Sequence, residues 1–330
     1  MKKLYVDLLR VIAIFFVVFN HTWTRGWFLF ALKQESAWYV VYLFWSIACK
    51  IAVPIFWMIS GALLLDKKES FKELFEKRIL RFLVVLVVCS LLQYLYELNF
   101  EIQFFSLSDF LVGLYSSQYA TAYWYLYAYL GYLFILPLLR KLIIGMNKND
   151  FIYLIILRLA IKAVIPIIQF ILWNGEVIIN YNFSAGLMVE DVIFYPILGY
   201  CLERFLPNQA VRVNKIICLN ALGLLVIAAC MWLTNYFCVY TGDWSLDRNQ
   251  RFHTVLIFIP AMAVFLTVRY WMLKYPPRKQ LAIYIIRRCG GGTFGIMLME
   301  NVIRQETESH FYSLLSVIPF EMTSCFIVSA

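Results

Sequence analysis

Long apolar stretches alternate with short polar segments along all 330 residues of the chain. A run of about 20 mainly apolar residues can cross a bilayer as an α-helix. Ten stretches approach this length, the ninth being the shortest: 5–24, 39–65, 79–98, 122–140, 151–172, 183–201, 216–238, 253–273, 291–305 and 313–330. The pattern predicts an all-α, polytopic membrane helix bundle of about ten transmembrane helices, with both termini on the same side.

The composition favours a membrane protein over a soluble domain. Hydrophobic residues make up 63% of the chain and the mean hydropathy is +0.75, whereas average soluble domains are roughly 45–50% apolar. Eight cysteines are scattered without a CxxC pair, so neither a disulfide framework nor a metal site is predicted. Short loops and a uniform composition predict one domain, 1–330. The tenth stretch reaches Ala330, so either the protein stops at the membrane edge or its C-terminal end is missing from the sequence.

The basic residues are divided unevenly between the two sets of loops. The side poor in basic residues holds Arg25, Lys33, Arg248 and Arg251. The other side, with both termini, is predicted to be cytoplasmic, because cytoplasmic loops are rich in Lys and Arg. The net charge of +9 therefore reflects topology, and no basic cluster with interleaved aromatics indicates nucleic-acid binding. That side carries 19 of the 29 basic residues: Lys2, Lys3, Lys67, Lys68, Lys72, Lys77, Arg78, Arg81, Arg140, Lys141, Lys148, Arg204, Arg212, Lys215, Lys274, Arg278, Lys279, Arg287 and Arg288.

The first stretch carries two ionisable residues, Arg10 and His21, eleven positions apart. Eleven residues are about three helical turns, so the two side chains project within about 20° of each other and lie about 16 Å apart along the axis. Such side chains usually face a protein interior or a water-filled path. Arg10 suits binding of an anion such as phosphate, or Asp7 at i−3 neutralises it. His21 suits a general base, or is merely interfacial.

The second stretch contains Lys50 near its middle, followed by Pro54 and the pair Ser60-Gly61. The proline can bend a membrane helix, and the small pair permits close approach of another helix. We expect Lys50 to face the same interior as Arg10 and His21. The alternative is helix packing with a snorkelling lysine.

The fifth and sixth stretches bring further charges into the membrane. Arg158 and Lys162 stand at i, i+4, where like charges repel, so they require an anion or a water-filled lining. Glu190 and Asp191 open the outer half of the sixth stretch. These carboxylates can orient His21, pair with the basic residues, hold acceptor hydroxyls, or simply mark a helix end.

The remaining candidates lie at predicted helix edges. Arg78 and Arg81 stand at i, i+3 at the cytoplasmic start of the third stretch and suit either an anion or ordinary membrane anchoring. Trp124 belongs to an aromatic belt and is also able to stack on a sugar. The glycines 290–292 are predicted to allow a tight turn into the short ninth helix, which carries Glu300 at i−4 from Arg304.

Together these segments resemble the acyltransferase 3 family of integral membrane acyltransferases, many of which acetylate cell-surface carbohydrates. The likeness covers essentially the whole chain. Many relatives have a histidine where this chain has Glu300, and another just before the tryptophan, where it has Ala122 and Tyr123. The similar features are Arg10-x10-His21, Lys50…Val53-Pro54…Ser60-Gly61, Arg78-x-x-Arg81, Trp124 with Pro137, Asp191…Leu198-Gly199-Tyr200 and Thr293-Phe294-Gly295-Ile296.

The resemblance implies an O-acyltransferase in which acyl-CoA, expected to be acetyl-CoA, is a co-substrate from the cytosol and no cofactor is permanently bound. His21 would act as base or transient acyl carrier, and Arg10 would share the catalytic path. Arg78 and Arg81, together with Arg10, match positions that hold the donor. Lys50 is expected to bind the donor as well, and Arg10 and Lys50 would stabilise either developing negative charge or a phosphate of CoA. Residues expected to line the cavity or meet the acceptor are Asp7, Trp124, Arg158, Lys162, Glu190, Asp191 and Glu300.

The expected acceptor is a hydroxyl of an exopolysaccharide or lipid-linked glycan, met at the outer part of a multi-pass protein in a bacterial plasma membrane. Proteins of polysaccharide synthesis are candidate partners, besides the bilayer itself. One alternative is a transporter that exports an acylated metabolite or flips a glycan lipid without covalent chemistry, its buried charges being ion or substrate sites. Another is a structural partner of a polysaccharide synthase.

Overall fold

The structure of the protein is a computed structural model that describes residues 3–22, 29–101, 104–173, 180, 188–206, 212–242, 244 and 256–315. The secondary structure within these ranges is helical, without strands. The helices are α1 (Leu4–His21), α2 (Leu29–Leu32), α3 (Tyr39–Ala48), α4 (Ala52–Leu64), α5 (Phe71–Leu74), α6 (Leu80–Glu101), α7 (Leu107–Ser116), α8 (Trp124–Ile144), α9 (Lys148–Leu159), α10 (Ile165–Trp173), α11 (Asp191–Phe205), α12 (Val213–Thr241), α13 (Phe258–Lys274) and α14 (Gln280–Leu315).

Short 3₁₀ and π segments join several of these helices into longer rods. Seven rods in the described part of the chain are long and apolar enough to cross a membrane: Leu4–His21, Tyr39–Leu64, Phe71–Leu98, Thr121–Ile144, Lys148–Trp173, Val213–Thr241 and Gln280–Thr307. The sixth and eighth predicted stretches form α11 and α13, which have only 15 and 17 residues. Most of the tenth lies outside the described residues. The all-helical membrane bundle is confirmed, while the count of ten and the orientation stay predictions.

The direction of α1 defines the two ends of the bundle. We call them the Leu4 end, where α1 begins, and the His21 end, where it finishes. At the Leu4 end the buried Arg269 of α13 donates from Nη1 to the carbonyl of Leu202, at 2.9 Å, and from Nη2 to that of Leu206, at 2.5 Å. These bonds satisfy carbonyls that the end of α11 leaves without helical partners.

Close packing of α4 against α11 confirms the prediction made for Ser60-Gly61. A Cβ atom on Gly61 would lie 1.8 Å from the carbonyl oxygen of Pro196, and one on Gly199 would lie 2.0 Å from that of Met58. Two glycines, one on each helix, therefore let the two backbones touch. Small residues have this role wherever membrane helices pack tightly.

The tight turn predicted at the glycines 290–292 is wrong, because α14 runs without a break through them. The physical reason for glycine is packing: a Cβ atom on Gly290 would lie 2.6 Å from the Cβ of Asp7. The glycine thus lets α14 lie directly against α1. This contact sets which residues of α14 reach the far end of α1.

A 3₁₀ turn, Cys49–Ile51, separates α3 from α4 and carries Lys50. Pro54 lacks the N–H group that would bond the carbonyl of Lys50 in a regular α-helix, so the helix is interrupted one turn before the proline. The interruption lies beside the last turn of α1. The interruption places the side chain of Lys50 next to that of Asn20.

Candidate active site

His21 at the end of α1 contacts Glu300 of α14. The Nδ1 atom of His21 lies 2.9 Å from Oε1 of Glu300, and the side chains are 14% and 2% exposed. Arg304, one turn further along α14, lies 3.8 Å from the other oxygen of Glu300. The carboxylate is therefore held between an imidazole and a guanidinium. A carboxylate on one ring nitrogen fixes the orientation and tautomer of a histidine and leaves the other nitrogen for chemistry.

His21 lies on the wall of a cavity of about 450 Å³ at the His21 end. The wall is built by α1, the 3₁₀ turn, α4, α8 and α11, and includes the predicted site residues Lys50, Trp124 and Asp191. Trp124 is 40% exposed and stands edge-on to Tyr125, also a lining residue. The cavity combines a mostly apolar wall with a few polar groups, as small-molecule sites do.

Lys50 approaches the cavity beside His21. Its Nζ atom lies 2.8 Å from the Oδ1 of Asn20, the residue before the histidine, and the Sγ of Cys49 lies 3.3 Å from the same oxygen. The expectation that Lys50 faces the same interior as His21 is confirmed, whereas Arg10 is not among the residues that line this cavity. The lysine lies at the His21 end, however, far from the arginines with which it was grouped as a donor-binding residue.

Arg10 pairs with Asp7, as the i, i+3 spacing allows. Its Nη1 atom donates to Oδ1 of the buried Asp7 at 3.1 Å, while the guanidinium stays 30% exposed. Arg10 is therefore neutralised by an acidic neighbour on α1, at the end of the stripe opposite His21.

An arginine cluster occupies the Leu4 end. The guanidinium of Arg78 makes a two-pronged contact with Glu69, at 3.1 Å and 2.6 Å, and the buried Arg140 donates to the same carboxylate at 2.9 Å and to the carbonyl of Leu64. Glu69 lies in the loop before α5, and these bonds lower its pKa to about 2. Arg81, expected to act with Arg78, is exposed on α6. Arg78 lies in the π segment Phe75–Ile79.

The carboxylates of the sixth stretch pair with α9 and its π extension, one of the alternatives left open. Asp191 lies 2.7 Å from Nη2 of the buried Arg158, which also donates to the carbonyl of Val189. Glu190 lies 2.5 Å from Lys162. The interpretation that these carboxylates orient His21 is wrong, because Glu300 has that position. The sequence predicted that the like charges of Arg158 and Lys162 need an anion or a water-filled lining. The two carboxylates are that anion.

Sequence reasoning missed three partners in these sites: Glu69, Arg140 and Asn20. Arg140 and Glu69 looked like ordinary charges at a membrane edge, and nothing in their spacing links them. Asn20 had a usable signal, because it is a polar residue next to His21 inside an apolar helix. Glu300 was singled out but not joined to His21, since 279 residues separate the two.

Comparison with known proteins adds one finding. The sequence model of a family described as an acyltransferase domain, of the type called acyltransferase 3, matches residues 3–305. The matched range includes every residue of the cavity and of the arginine cluster. No curated protein and no solved structure gives a significant match to the chain.

Proposed function

The chain belongs to the acyltransferase 3 family and is a membrane acyltransferase, and we propose that it moves an acetyl group from cytosolic acetyl-CoA to a hydroxyl of a cell-surface polysaccharide or lipid-linked glycan. The observation that carries this proposal is the contact of His21 with Glu300 on the wall of a cavity. A histidine oriented by a carboxylate is the arrangement that acyl-transfer sites use to activate a nucleophile.

His21 acts as the general base in this proposal. Its free ring nitrogen takes the proton from the acceptor hydroxyl while the hydroxyl oxygen forms a bond to the thioester carbonyl carbon. The carbon–sulfur bond then breaks, the thiolate of CoA leaves, and the imidazolium returns the proton to it. The carboxylate of Glu300 accepts a hydrogen bond from the Nδ1–H group throughout, and it stabilises the imidazolium that forms between the two steps.

Lys50 is the group placed to stabilise developing charge. Its ammonium, held by Asn20, approaches the same cavity as His21. A positive group in a site with an apolar wall stabilises the oxyanion of a tetrahedral intermediate much more strongly than it would in water. We therefore assign Lys50 to the reacting carbonyl rather than to the phosphates of the donor.

The arginine cluster at the Leu4 end is assigned to the phosphates of the donor. Arg78 and Arg140 converge on the single carboxylate of Glu69, which a phosphate group would displace, and Arg81 adds a third positive charge nearby in sequence. Guanidinium groups bind phosphate oxygens in the two-pronged manner that Arg78 uses on Glu69. This end carries the predicted cytoplasmic loops, so a cytosolic donor would reach it directly. Trp124 at the other end is assigned to stacking on the sugar acceptor.

The test uses purified protein in lipid nanodiscs with acetyl-CoA labelled in the acetyl group. Release of CoA thiol and transfer of label to glycan acceptors are measured for the wild type and for His21→Ala. We expect the variant to fold normally and to lose at least about 100-fold in rate, the usual contribution of a positioned acid–base group. The matched control is Glu306→Gln, on α14 and bonded to Tyr96, with wild-type rates expected.

A wild-type rate of acetyl transfer by a folded His21→Ala protein would contradict this mechanism. Movement of a glycan lipid or an acylated metabolite across proteoliposomes, without thiol release, would instead favour a transporter. Mass analysis of surface glycan from cells with and without the protein identifies the acceptor.

A further inference from the structure

A row of three tyrosines on α8 connects the arginine cluster with the His21 cavity. Tyr125, Tyr129 and Tyr132 stand at i, i+4 and i+7, which places them on one helix face and spreads them over about 10 Å of its axis. Successive rings lie 5.8 Å apart from centre to centre, and Trp57 of α4 packs against all three at 4.9–5.7 Å.

The row lies on the part of α8 between the cavity and the arginine cluster. Tyr125 lines the cavity of His21. At the other end of the row, Tyr132 stands eight positions before Arg140, about 12 Å along the axis of α8.

The row carries hydrogen-bonding capacity that the protein itself uses only in part. The side chain of Tyr132 is fully buried, and its hydroxyl has no hydrogen-bond partner among the described residues. The hydroxyl of Ser60 gives its proton to the carbonyl of Phe56, at 3.0 Å, so towards Tyr125 and Tyr129 it acts only as an acceptor. A buried polar group without a partner costs about 1–3 kcal/mol, so such groups usually have a role with a ligand or water.

We propose that Tyr125, Tyr129 and Tyr132 bind the flexible, amide-bearing arm of a thioester donor whose phosphates lie at Arg78 and Arg140 and whose carbonyl reaches His21. The arm needs apolar surface for its methylene groups and hydrogen-bonding groups for its amides. The row of tyrosines supplies both, because each ring has an apolar face and a polar hydroxyl at its tip. This inference rests on the proposed function and names the donor subsite between its two ends.

The donor has three parts, and thioesters that contain all of them or only some test each part separately. Acetyl-CoA carries the phosphates, the arm and the thioester. S-acetylpantetheine keeps the arm and the thioester, and the short thioester S-acetyl-N-acetylcysteamine keeps little more than the reacting end. Rates of thiol release are measured with all three donors on the full chain in nanodiscs.

We expect Tyr129→Phe and Tyr132→Phe each to raise KM for acetyl-CoA and for S-acetylpantetheine about 5- to 10-fold, the effect of losing one hydrogen bond. KM for the short thioester should stay within about twofold in both variants. Tyr127→Phe is the matched control, because this tyrosine lies on α8 but donates to the carbonyl of Leu114 at 2.7 Å. Its KM values should equal those of the wild type.

Melting temperatures distinguish donor binding from a structural role. Without donor, Tyr132→Phe should melt at or above the temperature of the wild type, since it removes a buried hydroxyl that has no partner; with CoA present, it should show a smaller rise. A lower melting temperature without donor, an unchanged KM for acetyl-CoA, or an equal rise in KM for the short thioester would each overturn the proposal.

The same measurements separate this proposal from the function on which it rests. A wild-type protein that CoA stabilises but that transfers nothing overturns the acyltransferase mechanism alone, and the thermal shifts of the variants still decide the role of the tyrosines. A wild-type protein that CoA does not stabilise, and that releases no thiol, overturns both.

Discussion

His21 and Glu300 lie 2.9 Å apart, from Nδ1 to Oε1, although 279 residues separate them in the chain. The contact exists because α14 packs along α1, with Gly290 against Asp7 near the start of α1 and Glu300 at its end. Both side chains are largely buried, and Arg304 lies on the far side of the carboxylate. In this chain the carboxylate of Glu300 faces the proposed base.

Replacing the carboxylate tests its role in orienting His21. Glu300→Gln keeps the size of the side chain but removes the charge that stabilises the imidazolium, so kcat should fall about 100-fold or more. KM for the donor should change less than twofold, because Glu300 acts through His21 and not on the substrate. Steady-state thiol release measures both values. An unchanged kcat in a folded Glu300→Gln protein would assign Glu300 to structure alone.

Lys50 is predicted to act on the reacting carbonyl. Lys50→Met removes the ammonium at the cavity and should lower kcat about 100-fold or more, as loss of one oxyanion donor does in other enzymes. Lys50→Arg should retain part of the rate. Lys162→Met, which affects an ion pair with Glu190 outside the cavity, serves as control. If instead Lys50→Met raises only KM for acetyl-CoA, the lysine binds the donor, the other role that the sequence suggested.

Glu69 should make stability depend on acid pH. Its pKa falls from 4.5 to about 2 in the folded protein, because Arg78 and Arg140 donate to the carboxylate. The contribution of Glu69 to the free energy of unfolding is therefore complete above pH 4.5 and is lost as the pH falls towards 2. This contribution amounts to at most about 3 kcal/mol.

Thermal melts in detergent between pH 7 and pH 3 measure this dependence. Glu69→Gln should melt lower than the wild type at pH 7 and show a flatter decline in acid. The control is Glu76→Gln, which affects an exposed carboxylate 3.9 Å from Lys72 and should leave the curve unchanged. Parallel curves for Glu69→Gln and the wild type would contradict the assignment.

The contact of α4 with α11 should not tolerate a single added methyl group. A Cβ atom on Gly61 would lie 1.8 Å from a backbone oxygen of α11, so Gly61→Ala must push the helices apart and should cost about 3 kcal/mol or more. Gly131→Ala is the matched control, because open space surrounds Gly131 and alanine favours the helix by up to about 1 kcal/mol. Folded yield and melting temperature after detergent extraction measure both variants.

Much of the fold was predictable because the bilayer imposes a simple rule on the sequence. A membrane helix must satisfy its own backbone and present apolar side chains, so helices appear as apolar stretches. The stripe from Arg10 to His21 followed from the helical period alone, and the pairing of Asp7 with Arg10 from their spacing. The turn at the glycines 290–292 was wrongly predicted, because glycine in a membrane helix can serve packing as readily as a turn.

The sequence by itself determined the all-helical membrane character, the face of α1 that carries Arg10 and His21, and the interior position of Lys50. These properties depend on residues close together in the chain. Only the tertiary structure decided which charges meet: Glu300 with His21, Asp191 with Arg158, and Glu69 with two arginines. A buried charge needs a partner, but several oppositely charged residues were available for each. For His21 the packing of α14 on α1, with Gly290 at the contact, decided the partner.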